Sequence, residues 1–363
     1  MNPFQLILPF VVACAVAAMS TPVVSLLARQ IGAIDRPNER KVSRREDMPL
    51  LGGLAVALGC AVGLAAAVLA LGEDYVRITQ IEGFLVGGFA VLAAGVLDDR
   101  WTLSPWAKLA FQVGAGLLAV RYGYVIESFR EPLTGEVFDF PFWFAAMITT
   151  FWIVAVSNAM NLIDGLDGLS TGVGAIIAAT LAIICAQADQ PVGMILGVTL
   201  VGALLGFLPF NFPPARIFLG DTGALFIGYS LSLVALEGYV GGYRKASIMA
   251  FLVPLLALAV PLLDTALSIL RRWRAGQPIF DADRQHMHHR LLEAEGSDRG
   301  AVLALYFLTA CFCVIAVSFT KLEGSAAFVF LVAVVVLTAR LLRNLGVHRA
   351  DAAKATPKGG NGA

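Results

Sequence analysis

The feature that most constrains this chain is the recurrence of apolar runs, each close to the length of a bilayer, separated by short polar joints along nearly the whole sequence. A hydrocarbon layer of roughly 30 Å needs about 20 apolar residues per helix, and only elements that satisfy their own backbone hydrogen bonds can cross it. Eleven candidate spans follow, at about 4–27, 50–71, 82–97, 106–122, 141–160, 168–187, 191–209, 222–239, 246–270, 301–319 and 325–342. Hydrophobic residues make up 58% of the chain and charged ones 14%, against roughly half and a quarter in soluble domains, so almost nothing remains for a soluble domain. The expected fold is an all-α polytopic membrane protein of about 11 transmembrane helices, with one membrane domain over 1–343. A tail over 344–363, rich in Gly, Ala and Lys, cannot bury a core and reads as disordered.

Net charge is zero, so the orientation rests on where the charges lie. If the first span runs from outside to inside, the inside segments hold 20 of the 26 Lys and Arg residues, and the positive-inside rule then places the N-terminus outside and the C-terminus in the cytoplasm. Residues 1–27 lack a basic leading region and run too long for a signal-peptide core, which predicts a retained first helix. Cys14, Cys60, Cys185, Cys311 and Cys313 all fall inside apolar spans and read as packing residues. On the outer side, two β-prone stretches flank Pro132-Leu133-Thr134-Gly135 within 123–140 and predict a small hairpin.

The inner segments carry five polar clusters. The first is Asp35-Arg36-Pro37-Asn38-Glu39-Arg40-Lys41, followed by Gly52-Gly53 at the opening of the second span. Its cations suit either phosphate or anionic headgroups, and paired glycines at a helix start serve either backbone N–H contacts to an anion or close helix packing. The second is Asp98-Asp99 at the inner end of the third span. Two carboxylates at the negative end of a helix dipole demand compensation, from a divalent cation or a basic partner, while like-charge coupling raises the pKa of one of them and suits it to general-base work; a hydrated helix-end turn is the plainer alternative.

The third cluster, Asn158-Ala159-Met160-Asn161-Leu162-Ile163-Asp164-Gly165-Leu166-Asp167-Gly168, places four polar groups on one stripe if the helix continues through it, which suits a hard cation. The fourth runs from Asn211 through Pro213-Pro214 and Phe218 to Gly220-Asp221-Thr222-Gly223, an extended loop delivering Asp221 to a helix start, where it either caps that helix or serves a site. The fifth, Asp281 to Arg290, holds three of the four histidines, His286, His288 and His289; the flanking Arg284 and Arg290 fit a diphosphate better than zinc. Asp264, inside the ninth span beside Pro261, reads as structural support paired to a basic residue near the site.

Taken in order, the Arg-Pro-Asn-x-Arg-Lys loop, Asp-Asp, Asn-x-x-Asn-x-x-Asp-Gly-x-Asp-Gly-Leu, Gly-Asp-x-Gly and His-x-His-His-Arg resemble the polyprenyl-phosphate N-acetylhexosamine-1-phosphate transferases over about residues 1–342. That resemblance implies transfer of a sugar 1-phosphate from a UDP-sugar to undecaprenyl phosphate with release of UMP, at the cytoplasmic face of the inner membrane and dependent on Mg²⁺ or Mn²⁺. It implies Asp221 and Asn161 as metal ligands, and Asp98, with Asp99 beside it, as base or nucleophile. Asp164 and Asp167 are placed near the nucleoside, Asn211 and Phe218 at the uracil, and Arg40, Lys41, Gly52 and Gly53 against substrate. His286, His288, His289 and Arg290 are assigned to the diphosphate or sugar. His-Met-His-His-Arg resembles the branch that uses UDP-GlcNAc. The chain departs from the family pattern by lacking a His after Arg40-Lys41 and by carrying Ala224 where Ser is usual. A homodimer is expected by analogy, and a nucleic-acid partner is not. A transporter would also line a bundle with polar groups, but near the bilayer midplane, whereas these cluster at the inner edge. The Asn-x-x-Asp-x-x-Asp spacing is also loosely similar to that of intramembrane prenyltransferases, which the Gly-Asp and His/Arg clusters disfavour.

Overall fold

The computed structural model describes residues 3–35, 47–72, 77–130, 136–242, 249–274, 276 and 286–320, with scattered positions between 329 and 340. The chain separates into two compact units, Met1–Val317 and Ser318–Ala363. Everything below concerns the first. The eleventh expected span, 325–342, falls almost wholly outside the described residues.

The first unit is a helical bundle: α1 (Ile7–Ile31), α2 (Gly52–Leu71), α3 (Ile78–Trp101), α4 (Pro105–Arg121), α5 (Phe142–Ile163), α6 (Leu169–Gln187), α7 (Pro191–Asn211), α8 (Gly220–Gly242), α9 (Met249–Ala257), α10 (Ala259–Arg274), α11 (Met287–Glu295) and α12 (Asp298–Phe319). Among the described residues, seven of these are long and apolar enough to cross a membrane: α1, α2, α3, α5, α6, α7 and α12. Two of the other expected spans differ for identifiable reasons: α4 is 17 residues long, and the ninth is interrupted.

The composition of α8 follows from its position. It packs against α2, α3, α5, α6 and α7, and Thr222, Ser230, Ser232 and Glu237 are all buried on it. A helix encased in protein need not be apolar all round, because its polar groups find partners there rather than in lipid: Gln80 on α3 donates to Glu237 at 2.6 Å. On the rim, α1 instead exposes Met19, Val23 and Leu26, as a surface solvated by hydrocarbon would.

The expected span over 246–270 is two helices. Pro261 has no N–H to return to the carbonyl of Ala257, and the helix breaks at Leu258 between α9 and α10. The freed Ala257 carbonyl accepts instead from the Cys313 thiol on α12, at 3.8 Å.

The all-α expectation needs one further amendment, two short ladders. β3 (Ser128–Arg130) pairs antiparallel with β4 (Val137–Asp139), the hairpin the sequence predicts, its tip at 131–135 lying outside the described residues. β1 (Ile34–Asp35) pairs with β2 (Met48–Pro49) and draws together the two ends of the first cluster's loop. Each of those strands is two residues long, too short to leave a periodic signal.

Candidate active site

The chemistry gathers where α3 and α5 end and α4 and α8 begin. α3 closes on Thr102, whose N–H reaches back to the Asp98 carbonyl at 2.8 Å. Ser104 then caps α4, accepting from the Ala107 N–H at 3.2 Å, and Pro105 occupies the first turn, where a missing N–H does no harm. This turn swings Lys108 back over the end of α3. Its ammonium donates to Asp98 Oδ2 at 2.9 Å and also to Asp221 Oδ2, bridging two carboxylates that are 123 residues apart in sequence. Asp98 Oδ1 accepts from the Leu103 N–H at 2.7 Å, and Asp221 Oδ1 accepts from the Asn161 amide at 2.9 Å. The Asp98, Lys108 and Asp221 side chains keep 13%, 20% and 29% of their surface exposed, so the cluster lies at a mouth that a soluble molecule can reach.

Lys108 is the site residue that sequence reading misses. The signal is there, since Asp98-Asp99 demands a compensating charge and a lysine follows ten positions later, but by loop position it counts only as one more inner cation. Asp99 resolves the other half of that demand. Its Oδ1 accepts from the Asp221 N–H at 2.9 Å, and its Oδ2 from the Thr222 N–H at 3.1 Å and the Thr222 hydroxyl at 2.6 Å. A carboxylate misplaced at the negative end of α3 is thereby well placed at the positive end of α8, which it caps from outside. Of the two roles open to Asp221, capping its own helix is not the one it takes, and the Asp99 carboxylate is held by the start of α8.

The third cluster is also corrected. The helix stops at Ile163, so Asp164 and Asp167 stand in the loop before α6 and not on one stripe with Asn158 and Asn161. Asn158 exchanges amide hydrogen bonds with Gln112 of α4 at 2.7 and 3.3 Å, a helix-pairing role. Asp167 Oδ2 accepts from the Ala215 N–H at 2.9 Å, tying that loop to the one between α7 and α8. Burial, followed by the charges of Asp221, Asp99 and Asp167, holds the Asp164 carboxyl well above the usual carboxylate range.

In the fourth cluster Asn211 is buried. Its oxygen accepts from the Thr171 hydroxyl at 2.7 Å and its nitrogen donates to the Ile217 carbonyl at 3.0 Å, which fixes the loop before α8. Phe218 is partly buried and uses its backbone on both sides, donating to Pro49 O at 2.9 Å and accepting from the Gly52 N–H at 3.1 Å. Gly53 likewise donates to Leu219 O at 3.0 Å. The N–H groups expected to face an anion are therefore occupied by the α7–α8 loop, and the glycines are required by closeness: a Cβ on Gly52 would lie 2.6 Å from Phe218 O, and one on Gly53 would collide with the backbone of Gly223. Arg40 and Lys41 lie outside the described residues.

Three ties hold the fifth cluster and the helix that follows it, α12, to the rest of the bundle. His286 is buried, its Nδ1 3.0 Å from Asp264 Oδ2. Arg299 at the start of α12 donates to the Pro213 carbonyl of the α7–α8 loop at 2.8 Å, and Tyr306 donates to the Gly168 carbonyl. Asp264 is thus paired to a basic residue as the sequence implied, but to a histidine of the loop. Arg290 lies partly buried on α11; His288 and His289 lie on the same helix, their side chains outside the described set.

Among the described residues no three His, Cys, Asp or Glu side chains are arranged to enclose a metal. Magnesium asks for less, one or two carboxylates plus waters and substrate phosphates, and the donors at the mouth are oxygens. Asp221 with Asn161, whose amide offers its oxygen when turned over, fits that need, and the Lys108 ammonium shows that positive charge is stabilised between Asp98 and Asp221.

Fold and cluster together define a polytopic membrane protein with a polar, carboxylate-rich site at one end of its bundle. The profile of glycosyl transferase family 4 matches residues 81–239, which hold the second, third and fourth clusters. The chain is 36% identical over 313 residues to a Bacillus subtilis protein called probable undecaprenyl-phosphate N-acetylglucosaminyl 1-phosphate transferase, covering 86% of this chain and 84% of that one. It is 36% identical over 325 residues to the decaprenyl-phosphate N-acetylglucosaminephosphotransferase of Mycobacterium tuberculosis, covering 83% and 79%. Against the undecaprenyl-phosphate alpha-N-acetylglucosaminyl 1-phosphate transferase of Escherichia coli it is 28% identical over 286 residues, covering 77% and 74%. The chain belongs to glycosyl transferase family 4 and is an enzyme of its glycosyl-1-phosphate transferase kind.

Proposed function

We propose that this enzyme transfers N-acetylglucosamine 1-phosphate from UDP-N-acetylglucosamine to undecaprenyl phosphate at the cytoplasmic face of the inner membrane, releasing UMP. The observation that carries the reading is the Lys108 bridge between Asp98 and Asp221, a charge-compensated mouth at the helix ends where a water-soluble donor can meet a lipid phosphate. The names of the relatives support the donor sugar and divide between undecaprenyl and decaprenyl acceptors; the basic inner loops support the cytoplasmic orientation.

In this reaction an oxygen of the lipid phosphate attacks the β-phosphorus of the nucleotide sugar, a new P–O bond forms, and the bond to the bridging oxygen breaks so that UMP leaves with it. Positioning and charge neutralisation supply most of the catalysis of such transfers. Lys108 orients the phosphates and offsets their charge. Asp98, fixed by Leu103 and Lys108, stands either as the base that takes a proton from the lipid phosphate or as a nucleophile that attacks the β-phosphorus first, expelling UMP, before the lipid phosphate displaces it. Asp221 and Asn161 would hold Mg²⁺ or Mn²⁺, which when bound neutralises the diphosphate and its leaving oxygen. Arg290 and the histidines of this segment are assigned to the diphosphate or sugar as donors.

The test supplies detergent-purified enzyme with undecaprenyl phosphate, Mg²⁺ and a panel of radiolabelled UDP-sugars, with EDTA as control. Lipid-linked label from UDP-N-acetylglucosamine that disappears with EDTA is the expected result. Label from a different UDP-sugar would replace the donor, and label from none would overturn the reading.

A further inference from the structure

We propose that Asp264 is a positioning residue for the transfer reaction, acting through the segment that carries His286, His288, His289 and Arg290; the proposal rests on the function proposed above. Asp264 is 1% exposed, inside α10, which begins just past the break at Leu258. An isolated carboxylate at such a place needs partners, and both of its oxygens have one in the same stretch of chain. Oδ2 lies 3.0 Å from His286 Nδ1, and Oδ1 accepts from the Met287 N–H at 2.8 Å.

Those partners sit at the start of α11. His286 is the residue before the helix, with extended backbone (φ −61°, ψ 155°) and no side-chain cap of its own. Asp264 therefore caps α11 from a different helix, placing negative charge where orphan N–H groups and the dipole favour it. The first turn then closes through Arg290 N–H to His286 O at 3.3 Å, and this turn contains His288, His289 and Arg290. Beyond α11, Arg299 holds the Pro213 carbonyl at 2.8 Å. The histidine segment is thus tied at its start to α10 and just past its end to the loop that delivers Asp221. One carboxylate fixes both the position of the helix start, through the backbone, and the ring of the residue before it, through Nδ1.

The test is a double-mutant cycle on the full-length enzyme, using turnover of UDP-N-acetylglucosamine with undecaprenyl phosphate. Asp264→Asn keeps an oxygen for the Met287 N–H but removes the charge beside His286. It is expected to lower kcat by roughly 10–100-fold, the scale typical of residues that orient a reacting group, with KM for the lipid little changed and Asp264→Glu recovering part of the loss. Combined with Arg290→Ala, it should be no slower than the slower single variant, because both act through one segment. Losses that multiply, or full activity in Asp264→Asn, would overturn the proposal. A second readout is independent of turnover: in Asp264→Ala, amide hydrogen exchange of residues 287–295 should accelerate while that of α3 and α8 stays as in the wild type. Unchanged exchange at 287–295 would overturn the proposal even if the function proposed above proved wrong, whereas an inactive wild-type enzyme with the accelerated exchange would count against that function alone.

Discussion

Each residue of Gly220-Asp221-Thr222-Gly223 has a separate physical reason. Gly220 has φ +72°, and a side chain there would strike the Asp99 carboxylate; Asp221 faces Lys108 and Asn161; Thr222 donates twice to Asp99; Gly223 meets Gly53, a Cβ there lying 2.8 Å from the Gly53 Cα. The sequence shows that Asp98-Asp99 needs compensation but not from where, because the answer is a helix start more than 120 residues on and a lysine among apolar residues. Replacing Lys108 by Met should lower turnover by about 100-fold or more. It should also lower the thermal midpoint in EDTA, and added Mg²⁺ should restore more of that midpoint than it adds to the wild type; a variant equally stable in both conditions would remove Lys108 from its compensating role. Asp99→Ala should destabilise by about 1–2 kcal/mol as a lost cap and depress activity through the misplaced Asp221, which denaturation in detergent and turnover would read together.

Elements are legible where lipid sets their length and obscure where protein replaces lipid as solvent. The spans over 50–71, 168–187 and 191–209 agree with α2, α6 and α7 to within a few residues. The third cluster reads as a continuous helix because polar residues recur at threes; the chain instead leaves the helix at Asp164, where Gly165 and Gly168 follow. That departure buries the Asp164 carboxyl near other carboxylates, and burial first, their charges second, raise its pKa. A raised folded-state pKa means that the stability tied to this group is complete below the ordinary carboxylate range, near 4, and is lost progressively as pH rises. Asp164→Asn should therefore raise the thermal midpoint of metal-free enzyme more at pH 8 than at pH 5 while lowering turnover, and melting curves at the two values would check it. At the α9–α10 break, Cys313→Ser should preserve the bond to Ala257 O and Cys313→Ala should lose less than about 1 kcal/mol, a difference that paired melts can detect.

For the molecule as a whole, family membership and the multi-helix architecture are readable from the ordered clusters, whereas the geometry of the site is not, since it depends on which helix ends meet. If Asp221 holds the metal, Mg²⁺ binds the folded enzyme and stabilises it by mass action, so the thermal midpoint of the wild type should climb with Mg²⁺ while that of Asp221→Asn should not. A midpoint that climbs equally in both would move the metal elsewhere. The enclosure of α8 has a further consequence. Every crossing of a bilayer reverses the side on which the next segment emerges. α8 begins at Asp221, packs against α2, α3, α5, α6 and α7, and lies between that residue and the histidine segment in the chain. Omitting it would put the histidine segment on the opposite side of the membrane from Asp98 and Asp221, leaving neither half able to act on one substrate. The parity of the chain, and with it the assembly of the site, thus rests on this enclosed helix.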